Sequence, residues 1–147
     1  MYGDTAVMRK HAAALRDQGA DIRAMADHLV GQAEQIGWAG RAAAAMRERV
    51  RERAAHLRGC ASSHEGAADA LEQHLHDVER SKDAIAEVER KAGSLVADAQ
   101  TRVARVDAYD DPEGVERRAS DEDRALAAFT PPPSGHRDWL TIDLPGH

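Results

Sequence analysis

His56, Cys60 and His64 stand four residues apart, a spacing that puts all three on one face of a helix. Thiolate and imidazole are the ligands zinc prefers, normally as a tetrahedral set of four. Two of these side chains could share an ion. Three from one straight helix are hard to aim at a single centre, and no second cluster completes the set, since His74 and His76 fall on different faces. The histidines read instead as polar seam positions whose charge changes near neutral pH. Neither a metal nor a cofactor is expected. The basic run "RERVRERAAHLR" (47–58) suggests phosphate binding, but Glu48 and Glu52 interleave with its arginines. No aromatic accompanies it to stack a base. It reads as a solvated or ion-paired face, or as the complement of an acidic partner surface. For catalysis there is no glycine-rich loop after a strand, no nucleophile elbow and no His/Asp/Ser constellation in a pocket. Cys60, the single cysteine, fits a small seam position better than a nucleophile. The chain is not expected to be an enzyme.

The elements that carry these residues follow from the apolar spacing. Met8, Leu15, Ile22, Leu29 and Ile36 recur in steps of seven, and Ala12, Gly19, Ala26 and Ala33 lie four residues after the first four of them. A row of large side chains beside a row of very small ones lets a partner helix come close. Asp4 is the expected N-cap, and the helix should end near Gly37 with a glycine in the left-handed cap conformation. A second pattern starts after Gly40. One register holds Val50, Leu57, Leu71, Val78, Ile85 and Val106, with Ala43, His64, Ala92 and Ala99 between them; Met46, Ala54, Ala61, Ala68, Leu75, Val96 and Val103 flank it. The register survives "RGCASSHEG" (58–66), whose glycines and serines weaken helix propensity. One helix is therefore expected from about Arg41 to Ala108. At about 1.5 Å per residue it spans about 100 Å, against about 48 Å for the first helix. The seam from Leu71 to Val106 would remain uncovered, which implies a partner chain, a second copy, or folding back at the weak centre.

Composition agrees with long helices. Hydrophobic residues make up 42% of the 147 positions but aromatics only 3%, so the chain is suited to a narrow alanine-rich seam. The net charge is −6, and the ten acids against four arginines beyond residue 106 account for all of it. A neutral body with an acidic tail argues against nucleic acid as the partner. "YDDPEG" is expected to start a short helix, Ser120 with Asp123 to cap another turn toward Phe129, and "TPPPSGH" to be an extended linker. The tail reads as mobile or ordered by a partner. The N-terminal "MYGDTAVMRKH" lacks the apolar run of a secretory signal. No segment has the roughly 18 consecutive apolar residues of a membrane span. The expectation is a cytoplasmic protein that, if exported, leaves without a cleaved signal for the outside or the cell surface.

Between the two helical patterns lies "IGWAGRAAAAM" (36–46), with a tryptophan between two glycines. The glycines permit a chain reversal. Trp38 is then expected to plug the open end of the hairpin, supplying area that alanines lack. Two antiparallel helices joined by Trp38 and Gly40 as Trp-x-Gly resemble the WXG (ESAT-like) family of type VII secretion substrates, in particular its longer actinobacterial members. The resemblance covers roughly residues 5–108. It implies a non-enzymatic protein acting through helix–helix association, and an export signal of the form Tyr-x-x-x-Asp/Glu after the second helix. Tyr109-Asp110-Asp111-Pro112-Glu113 has that spacing, although Pro112 would stop Tyr109 and Glu113 from sharing a regular helix. In the family the signal and the turn lie side by side, usually on two partners of a dimer, and are read together by the secretion ATPase.

The expected fold is thus all-α: a long antiparallel helical hairpin over residues 1–108 and an acidic, proline-interrupted tail over 109–147. Met8, Leu15, Ile22, Leu29 and Ile36 are expected to form the helix–helix interface with Met46, Val50, Leu57, Leu71, Leu75 and Val78. Trp38 and Gly40 are the turn motif, and Tyr109 and Glu113 the candidate export signal. The expected partners are another helical-hairpin protein, in a homodimer or heterodimer, and the secretion ATPase. The competing readings are a cytoplasmic coiled-coil scaffold and a targeting partner of a larger secreted toxin.

Overall fold

A computed structural model describes residues 4–109 and 118–145. The fold is all-α, with two long helices packed against each other: α1 (Thr5–Gln35) and α2 (Arg41–Asp107), followed by α3 (Asp121–Ala127) and a 3-10 turn at Arg137–Leu140. The chain divides into two compact units, Tyr2–Val78 and Glu79–His147, and α2 runs through both.

In the first unit α1 starts as its sequence dictates. The Asp4 carboxylate accepts hydrogen bonds from the backbone N–H groups of Ala6 (2.9 Å) and Val7 (3.4 Å), satisfying two of the donors a helix start leaves open. α1 packs antiparallel on α2, as the cross-helix ion pairs show. Arg16 reaches Asp69 and Glu72, each at 2.7 Å, Arg23 reaches Glu65 at 2.7 Å, Asp27 accepts from Arg58 at 2.6 Å, and Glu34 meets Arg51 at 3.9 Å. Partners descend along α2 as they climb along α1.

The centre of this seam is the small row. Ala12, Gly19, Ala26 and Ala33 are buried on α1, and Ala54, Ala61 and Ala68 on α2 have 0% exposure. The expected interface residues Met8, Leu15, Ile22 and Ile36, and Met46, Val50, Leu57 and Leu71 across from them, are only half-buried, and Leu29 is exposed; Leu75 and Val78 are buried. The reason is geometric. Facing rows of alanine and glycine let the backbones approach so closely that larger side chains must stand at the edge. α2 passes through residues 58–66 without interruption. There Ser62, Ser63 and His64 bond back to the carbonyls of Arg58, Gly59 and Cys60, four residues earlier, so these polar groups are satisfied within the helix.

The second unit corrects the expectation of a mobile or partner-ordered tail, since the described tail residues are folded. Ile85, Ala92 and Ala99 of α2 are buried, and so are Ala119, Leu126, Trp139 and Leu144 of the tail. The Ser120 hydroxyl accepts from the N–H of Asp123 at 3.0 Å, the expected cap. Arg102 of α2 holds Asp123 through Nε at 2.9 Å and a terminal nitrogen at 2.6 Å. Glu89 of α2 accepts from the N–H of Gly135 at 3.2 Å. Trp139, 4% exposed, donates its indole N–H to the Pro133 carbonyl at 3.0 Å, giving its one polar atom a partner inside an apolar site. Part of the seam expected to need a partner, around Ile85 to Ala99, therefore belongs to a unit completed by the chain's own tail. The expected helix at "YDDPEG" lies outside the described residues from Asp110 onward.

Candidate functional site

The Trp-x-Gly turn is built by the five residues Ile36 to Gly40 and one side chain from outside it. α1 ends at Gln35, and Ile36 leaves it in extended conformation (φ −69°, ψ 118°). The left-handed residue is Gly40 (φ +98°), not Gly37, so the expected glycine cap at Gly37 does not form. Gly40 instead opens α2, its carbonyl accepting from the N–H of Ala44 at 3.1 Å. A positive φ of that size suits a residue without Cβ.

With no glycine cap and no basic residue in the last turn of α1, the final carbonyls need donors from elsewhere. Arg47 supplies them. Its guanidinium donates from Nε to the Ala33 carbonyl (3.3 Å) and from one terminal nitrogen to the carbonyls of Ile36 and Trp38 (both 2.8 Å). The positive group also opposes the negative end of the α1 dipole. Arg47 is absent from the sequence-based site. One signal could have found it: residues 47, 54, 61 and 68 share the small row of α2, and Arg47 is the large member among alanines.

Trp38 does not plug the hairpin. It is 67% exposed. The seam at this end is narrow and lined by alanine, and Arg47 fills the closing role, so the ring is left on the surface above a pinned main chain.

The two edges of the hairpin differ. One carries the ion pairs, where the Arg16 guanidinium holds the Glu72 carboxyl below its ordinary value through their hydrogen bond. The other carries Met8, Leu15, Ile22, Leu29 and Ile36 together with Val50, Leu57, His64 and Leu71. One helical step outward from these come His11, Gln18, Met25 and Gln32 on α1, and Met46, Arg53, Cys60, Ala67 and His74 on α2, none of them a carboxylate. Met25 is 57% and Leu29 37% exposed.

Tyr109 sits just past α2, 53% exposed, with its N–H on the Val106 carbonyl at 3.3 Å. Glu113 lies outside the described residues. Cys60 is exposed and is not a seam filler, and its carbonyl is 2.9 Å from the His64 ring. Among the described residues no cluster of three or more metal-binding side chains forms. In the basic run, Arg47 is bound to carbonyls, and Arg51 and Arg58 are ion-paired. Among the described residues no helix is long and apolar enough to cross a membrane. No protein-family model, curated protein or solved structure matches the chain.

Proposed function

We propose that the protein is a non-enzymatic substrate or partner of a type VII secretion system, working through helix–helix association with another helical-hairpin protein. The exposed ring of Trp38 carries this reading. A tryptophan 67% exposed on a turn whose carbonyls are held by a buried-side arginine has no packing role to explain it. Aromatic side chains of this kind are typical anchors of protein contacts. The edge of the hairpin that carries Leu15, Ile22, Met25 and Leu29 among histidines and glutamines, with no carboxylate in those rows, is the surface such a partner helix would cover. Tyr109 with Glu113 would supply the export signal, read together with the Trp38–Gly40 turn by the secretion ATPase.

The test compares culture filtrates of the host with and without the secretion ATPase, alongside a lysis marker. Filtrate protein that vanishes without the ATPase is the expected result. Protein confined to the cells in both strains, with the ATPase expressed, rejects export and leaves a scaffold closed on itself.

A further inference from the structure

Trp38 can serve as a recognition element only if its main chain is fixed, because an exposed ring on a glycine-rich loop would otherwise lose much of its contact energy to ordering. The loop has little else to fix it. Gly37 and Gly40 flank the tryptophan and have open space where a side chain would stand. α1 ends without a glycine cap. Among the described residues, Arg47 binds the loop carbonyls on both sides of Gly37, joining the end of α1 (Ala33, Ile36) to Trp38 itself.

We infer that Arg47 is the positioning residue for Trp38: by holding the carbonyls of Ala33, Ile36 and Trp38 on one planar guanidinium, it sets where the exposed indole is presented to a partner. The role rests on the proposed secretion reading for its purpose, and on the geometry alone for its physical content. Guanidinium geometry matters. A planar fork can serve several acceptors in fixed directions, which the compact ammonium of lysine does not reproduce. Hydrogen bonds from a charged donor also contribute more than neutral ones, enough to bias a loop population by about tenfold or more.

Three variants of the full chain separate the possibilities: Trp38→Ala, Arg47→Met, which keeps an apolar stem without donors, and Arg47→Lys. Each is followed by export into culture filtrate and by fluorine NMR of 5-fluorotryptophan-labelled protein, with Trp139→Phe assigning the two indole signals. Circular dichroism reports helix content. Positioning by Arg47 predicts that Arg47→Met keeps the helices, sharpens and shifts the Trp38 signal toward that of a free loop, and lowers export about tenfold. Arg47→Lys should fall between it and the native protein. Normal export of Trp38→Ala rejects the turn as a recognition element, whatever Arg47 does. Lost export in Trp38→Ala with normal export in Arg47→Met overturns the positioning role alone. An unchanged Trp38 signal in Arg47→Met overturns it too, whether or not any variant is exported. If Arg47→Met does not fold, the Trp38 signal of Arg47→Lys decides on the same criterion.

Discussion

Gly19 of α1 and the backbone of Ala61 on α2 approach so closely that a Cβ at Gly19 would lie 3.1 Å from the Ala61 carbonyl oxygen and 3.1 Å from Cγ of Glu65. Glycine is needed there for the closeness of two helices rather than for an unusual backbone angle. The contact fixes the central row of the seam and thereby sends the large apolar residues to its edge.

The first expectation tests that closeness. Gly19→Val should destabilise the hairpin by about 1–3 kcal/mol, because the carbonyl it meets belongs to a rigid helix. Gly31, also within α1, has nothing within 4 Å of a built Cβ. There Gly31→Ala should stabilise by about 0.5–1 kcal/mol through helix propensity. Urea unfolding of the two variants checks the opposite signs.

Trp139 should matter far more to stability than Trp38 does. Its ring is 4% exposed, and truncating a buried tryptophan costs about 3–5 kcal/mol. Trp139→Ala should expose backbone amides of residues 118–145 and of α2 around Ile85–Ala99 to hydrogen exchange. Protection over α1 and the first part of α2 should persist. Uniform loss across the chain would mean that the two units do not unfold separately.

The link between α2 and α3 has a pH signature. The hydrogen bonds from Arg102 hold the Asp123 carboxyl below its ordinary 3.8. A lowered folded value means the stabilisation is present above the unfolded value of about 3.8 and is lost as pH falls through the lower folded value. NMR titration should find Asp123 still ionised at pH 3.8 in the native protein. In Arg102→Ala its midpoint should move up toward the ordinary value. A midpoint unmoved by the substitution would show that the pair does not form in solution.

How much of this was legible in the sequence depended on periodicity. Met8 through Ile36 in steps of seven placed α1 to within a few residues, and the register surviving 58–66 correctly gave one helix from 41 to about 108. In the central row, apolar size is a poor guide to burial. In an alanine seam the close approach of backbones excludes the larger side chains, so Ala54, Ala61 and Ala68 outrank Leu57 and Leu71 in burial. The packing of the tail was not visible either. Leu126, Trp139 and Leu144 are isolated apolar residues with no repeat between them, and their burial is set by a long-range fit. The size of Trp38 suggests an interior place, and only the carbonyl contacts of Arg47 explain why the hairpin closes without it.

The most direct measurement joins fold and function in one substitution. Trp38→Ala removes an exposed ring, so the unfolding free energy should match that of the native protein within the roughly ±0.5 kcal/mol expected of a surface change. This fully folded variant is expected to stay in the cells while the native protein reaches the culture filtrate by way of the secretion ATPase. A variant exported as well as the native protein would rule out Trp38 as a recognition element for export, and so would one that fails because it unfolds.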